Sequence, residues 1–82
     1  MNKEKCIEEI GVIIRNYREE NFITQEELSF RSGLHRNQIS LIERGKCDLK
    51  VSTLLILCNV LNIPLTQFDT IKNIIHIENK LV

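Results

Sequence analysis

TQEELSFRSGLHRNQISLIERGK, residues 24–46, decides how this chain is read. The run contains two short helical segments around one glycine. Thr24 followed by Glu27 gives the T-x-x-E spacing of a reciprocal capping box, and Phe22 or Ile23 stands where it can brace the helix entry. Leu28 is the inward residue of that first segment, and Gly33 stops it, since glycine accepts the left-handed backbone that ends a helix. Leu34 then turns into the core. His35 precedes the next helix, whose inward positions are Ile39 and Ile42 and whose end is marked by Gly45. Histidine is a mediocre N-cap, so this start is the less clearly signed of the two. The helix opens with Arg36, Asn37 and Gln38, side chains whose donors and acceptors suit the edges of DNA bases.

On the N-terminal side, Ile7, Ile10, Ile14 and Tyr17 recur at three- and four-residue spacing, with Ile13 beside them and charged residues opposite. That pattern predicts an amphipathic helix from about Lys3 to Glu20. Asn21 ends it, because asparagine tolerates the left-handed conformation. On the C-terminal side, the loop KCDLKV leads to a fourth helix with Ser52 or Thr53 near its start. Leu54, Leu55, Leu57, Cys58 and Leu61 make it apolar nearly all round, so burial on more than one side is expected. Asn62 closes it, and Pro64 opens a fifth helix carrying Leu65, Phe68, Ile71, Ile74 and Ile75. The tail IIHIENKLV fits either a helix to about Ile77 or an alternating strand, and the helix is the preferred reading.

Three glycines and one proline in 82 residues, with no low-complexity run and no repeat, favour helices joined by short turns within one domain. The core is placed at residues 7–69, with 70–82 as a C-terminal extension. Hydrophobic residues at 43% and charged residues at 27% are ordinary for a globular protein. No apolar run approaches the roughly 20 residues that span a bilayer. Glu8 and Glu9 interrupt anything resembling a signal peptide, so a cytoplasmic location with no membrane partner is expected. Cys6, Cys47 and Cys58 are odd in number and lack metal-ligand spacing, as do His35 and His76. Free thiols, no metal and no cofactor are therefore expected. Catalysis finds no support, since neither histidine has a nucleophile at a telling spacing and no phosphate-cradling loop is present. Cys47 beside Lys46 reads as an incidental loop cysteine rather than a redox sensor.

The formal charge is zero, but its distribution is uneven. Residues 1–30 carry four basic and seven acidic groups, a balance of −3. Residues 31–50 carry Arg31, Arg36, Arg44, Lys46 and Lys50 against Glu43 and Asp48, a balance of +3. Positive charge thus gathers on the segment with the base-reading residues, where phosphate would be neutralised.

Residues 11–68, about seven tenths of the chain, resemble the Cro/cI-type (XRE) helix-turn-helix repressors. The matching motifs are G-x-x-I-R-x-x-R from Gly11 to Arg18, T-Q-E-E-L at 24–28, S-G-L at 32–34 and I-S-x-I-E-R-G-K at 39–46. L-N-I-P at 61–64 stands where the family often has L-G-V-S. Within the family, LHRNQISLIERGK at 34–46 is especially similar to restriction–modification controller proteins. Phe22 departs from the pattern, standing where glycine is usual, and Asn21 is expected to take the strained conformation instead.

The resemblance implies an all-α, five-helix lambda-repressor-like domain that is not an enzyme and binds a double-stranded operator, with RNA polymerase as a further candidate partner. Arg36, Asn37 and Gln38 are the expected base readers, with Ser40 and Leu41 one turn further on. Gln25, His35, Arg44, Lys46, Lys50 and Ser52 are expected on the phosphate backbone, Gln25 with the help of the N–H groups at its helix start. Arg18 and Glu43 correspond to a family ion pair that orients the first helix against the reading helix.

One reading helix spans only a few base pairs, so a homodimer on a pseudo-palindromic operator is expected. Leu61, Ile63, Leu65, Phe68, Ile71, Ile74 and Ile75 form the candidate interface. Competing readings are an antitoxin that also binds a partner protein, a phage or mobile-element repressor, and an interaction module that no longer touches DNA.

Overall fold

The computed structural model describes residues 2–69 and 71. Among them lie four α-helices: α1 (Lys3–Glu20), α2 (Gln25–Ser32), α3 (Arg36–Glu43) and α4 (Val51–Leu61). The expected fifth helix begins instead as a 3-10 turn, Leu65–Phe68, with Gln67 N–H donating to Pro64 O at 2.9 Å. Pro64 holds an extended backbone, ψ 140°, and the chain tightens directly behind it. The expected course of the tail towards Ile77 lies outside the described residues.

α1 takes the bounds that its periodicity predicts. Its N-cap is Asn2, whose Oδ1 accepts from Lys5 N at 2.8 Å and satisfies one of the free N–H groups of the first turn. Ile14 is fully buried, and Ile10, Ile13 and Tyr17 pack around it. Gly11 faces the end of α3 so closely that a Cβ there would overlap Ile42 O and stand 3.0 Å from Glu43 O. A side chain at this position would push the two helices apart.

The α1–α2 turn corrects one expectation. Asn21 keeps a negative φ of −90°, while Phe22 takes the left-handed backbone at φ 57°. Ile23 N–H reaches back to Arg18 O at 3.1 Å, and this closure places the positive φ one residue later than expected. α2 starts at Thr24, whose Oγ1 accepts from Glu27 N at 3.0 Å. The reciprocal half of the capping box is replaced, because the Glu27 carboxylate pairs with Arg31 Nε at 2.8 Å. Gly33, at φ 76°, ends α2 as expected, and Ser29 Oγ donates to Leu34 O across the turn.

Ile14, Leu28, Ile39, Ile42, Leu57 and Leu61 are the large side chains at the centre of the core. Burying each of these stabilises the fold by about 1.5–3 kcal/mol relative to exposure. α4 starts from Lys50 without a side-chain cap, and Asn62 ends it in the left-handed region at φ 55°. It turns Thr53, Leu57, Cys58 and Leu61 inward. Among the described residues nothing covers its other face, where Val51 is 73%, Leu55 47% and Ile56 41% exposed. No helix of the described residues is long and apolar enough to cross a membrane.

Candidate nucleic-acid interface

α3 is amphipathic in a way that sorts its residues into two roles. Ile39, Ile42 and Glu43 point into the molecule and are buried. Arg36, Asn37, Ser40 and Leu41 stand at i, i+1, i+4 and i+5, which groups them on one face turned away from Ile39 and Ile42. Arg36 and Asn37 are exposed, Leu41 is 38% exposed, and Ser40 is half-buried. Gln38 is half-buried at the flank of this face. His35, the N-cap, is exposed and makes no side-chain cap bond, so the first N–H groups of α3 lack side-chain capping.

Behind this face, α3 is fastened to α1 by a two-point ion pair. Arg18 Nε and Nη2 donate to Glu43 Oε2 and Oε1 at 2.7 and 2.9 Å. Arg18 Nη1 donates to Ile23 O at 2.8 Å, which adds the entry of α2 to the same clamp. The two side chains are 12% and 2% exposed. The hydrogen bond to Glu43 raises the Arg18 guanidinium above its ordinary value, against the opposing effect of burial. With this geometry the network acts as a rigid joint between three helices. Among the described residues, no buried side-chain polar atom is left without a partner.

Gln25 was expected on phosphate. Its Nε2 donates to Glu43 Oε1 at 3.2 Å, so one amide hydrogen is engaged by the clamp and the second remains. Arg44 is exposed and lies along α3, with Nε donating to Ser40 O at 3.3 Å. Lys46, Lys50 and Ser52 are exposed on the segment from the end of α3 into α4. An ion pair of Lys3 Nζ with Asp48 Oδ2 at 3.2 Å ties the middle of that segment to the start of α1.

The proposed apolar interface set does not hold together as one surface. Leu61, Ile63 and Ile71 are 2%, 5% and 6% exposed, so they fill the protomer's own interior. They complete the core where α4 ends, which leaves little of them to cover in a dimer. Leu65 is 59% exposed and Phe68 half-buried against the core. Ile74 and Ile75 lie outside the described residues. Sequence reasoning did not assign Val51, Leu55 and Ile56 to an interface. The available signal was the all-round apolarity of α4, which has no polar side to say which face is turned out.

The chain's similarity to known proteins agrees with this geometry. A family model described as helix-turn-helix matches residues 14–68. Control protein C.SmaI of Serratia marcescens is 45% identical over 57 residues, covering 70% of this chain and 68% of that protein. Among solved structures, the restriction-modification controller protein C.AhdI from Aeromonas hydrophila superposes with a TM-score of 0.70 at 30% identity. That match covers 74% of this chain and 92% of the other. The controller protein C.Esp1396I, solved as a tetramer in complex with its natural 35 base-pair operator, gives a TM-score of 0.72 at 28% identity, covering 83% of this chain and 91% of that one.

Proposed function

This chain belongs to the helix-turn-helix family of Cro/cI-type DNA-binding regulators, alongside restriction–modification controller proteins, and from that premise we propose a specific mode of action. A homodimer binds a pseudo-palindromic operator, each copy laying α3 in the major groove, and so controls the genes of a restriction–modification system. The observation that carries this reading is the outward face of α3, mainly polar and led by exposed Arg36 and Asn37, on a helix that Arg18 and Glu43 fasten to α1.

Each role follows from side-chain chemistry. Arg36 offers two parallel N–H donors that match guanine O6 and N7. Asn37 offers one donor and one acceptor, the pattern that adenine N6 and N7 require. Gln38 has the same pair of groups and approaches from the flank. Ser40 takes either base, and Leu41 packs on a thymine methyl. Gln25 and the start of α2 face phosphate, with Arg44, Lys46, Lys50 and Ser52 along the neighbouring backbone. These contacts set register, whereas the α3 face reads sequence. Two copies then read half-sites about one helical turn, roughly 34 Å, apart.

Among the relatives, C.Esp1396I assembles as a tetramer on its operator, which supports association of copies as part of recognition. Selection of bound duplexes from a random pool tests the proposal. A two-fold symmetric consensus is expected, and enrichment of no sequence, or of an asymmetric one, would overturn it. The double variant Arg36→Ala, Asn37→Ala is expected to lose sequence preference while keeping non-specific duplex binding. Each lost bidentate contact should remove about 1–3 kcal/mol of discrimination.

A further inference from the structure

From Val51 to Asn62 the chain carries no acidic or basic side chain. Val51, Leu55 and Ile56 project outward from this stretch, and Leu65 projects outward just beyond it. Leu55, Asn59, Asn62, Pro64 and Leu65 line one shallow groove of about 360 Å³. Asn59 is exposed and stands four residues after Leu55 and three after Ile56, so it adjoins both on the helix surface. Among the described residues, the Asn59 amide therefore sits between exposed apolar side chains on an uncharged face, with Ser52 and Asn62 as its other exposed polar groups.

A second copy of this chain is the occupant that such a face fits. With no charge, the face neither steers a charged partner nor repels itself. A two-fold axis sets a patch against its own image, so every group near the axis must be compatible with itself. A carboxylate or an ammonium fails that condition. An amide meets it, because it carries both donors and acceptors. The groove and the projecting Leu65 at its edge supply hollow and knob in one patch, as an isologous contact requires.

We propose that Asn59 meets Asn59 of the second copy at the dimer axis and selects both the register and the partner. This rests on the homodimer reading above. Once the leucines and isoleucines are covered, water leaves Asn59, and its amide must find a hydrogen-bond partner or lose stability. In the matched register the partner is its own counterpart. A slipped register, or a related chain with an apolar residue at this place, leaves the amide unsatisfied. A single buried asparagine sets register in paired helices by the same physics, at some cost in stability.

Sedimentation equilibrium of the full chain tests this with Asn59→Asp, Asn59→Lys and their equimolar mixture. Because residue 59 is exposed in the protomer, both variants are expected to keep the wild-type helical content. Wild type is expected to dimerise, and each variant alone to have its dimer dissociation constant raised about tenfold or more, as two like charges meet. The mixture is expected to recover wild-type affinity as a heterodimer, visible by native mass spectrometry. A dimeric wild type with unaffected variants would overturn the role of Asn59 and leave the homodimer standing. Weakened variants that the mixture does not rescue would place Asn59 off the axis, which also overturns the proposal. A wild type that stays monomeric on and off operator DNA would overturn both readings.

Discussion

α3 and α4 lean on the same core and turn opposite chemistry outward. The inner faces are alike, with Ile39 and Ile42 on one and Leu57 and Leu61 on the other, all at most 2% exposed. Outward, α3 shows mainly polar groups, Arg36, Asn37 and Ser40 with Leu41 at the edge, whereas α4 shows mainly apolar ones, Val51, Leu55 and Ile56 around Ser52 and Asn59. The difference separates two kinds of recognition. Polar groups on α3 await a surface with its own pattern of donors and acceptors, and they lose nothing by staying hydrated meanwhile. Apolar groups on α4 are unfavourable in water and gain from covering alone. One helix is therefore suited to choosing a sequence and the other to bringing copies together.

The strongest challenge to this comparison is Glu43→Ala. It strands the Arg18 guanidinium, whose side chain is only 12% exposed, and a loss of roughly 3 kcal/mol in folding stability is expected from urea denaturation. Operator affinity should fall with it, because α3 loses its tether to α1 and to the entry of α2. Stability and affinity that both hold would show that packing alone positions the reading helix. Next in size is Leu55→Asp, which should raise the dimer dissociation constant by a hundredfold or so while leaving protomer unfolding within about 0.5 kcal/mol of wild type. Unchanged assembly in gel filtration would remove α4 from the interface. Smallest is Phe22→Gly. It relieves the left-handed backbone and should raise stability by about 1 kcal/mol, with no effect on assembly or operator affinity. A lower melting temperature would mean that the 95% exposed phenyl ring contributes something the fold does not reveal.

What could be read from sequence was what local chemistry settles. α1 follows from a clean apolar stripe, and the stop at Gly33 follows from glycine's tolerance of positive φ. The Arg18–Glu43 pair came through family resemblance, since no local pattern joins residues 25 positions apart. Other features depend on what meets what in three dimensions. Glu27 had two possible partners and took Arg31, one turn ahead on its own helix. Gln25 was drawn partly inward by a carboxylate from α3. Asparagine's tolerance of positive φ points to Asn21, yet in the turn closed by Ile23 and Arg18 it is Phe22 that takes it, a residue type that seldom does. For α4 the obstacle was different. A helix apolar on every side gives no periodic signal, so only the packed structure distinguishes Leu61 inside from Leu55 outside.

The buried joint between Arg18 and Glu43 also affects how ionic strength acts on this molecule. Operator binding releases counterions from phosphate, so affinity falls as salt rises, with a slope close to 0.9 per neutralised phosphate. In a protein whose reading helix hung on exposed ion pairs, salt would also loosen the reader, and the slope would mix two effects. Here the pair is 12% and 2% exposed, and mobile ions screen such a contact only weakly. On the proposed mode of binding, the slope of log affinity against log salt concentration then reports the phosphates that Arg44, Lys46, Lys50 and their neighbours would neutralise. Base contacts proposed for α3 would drop out of that slope.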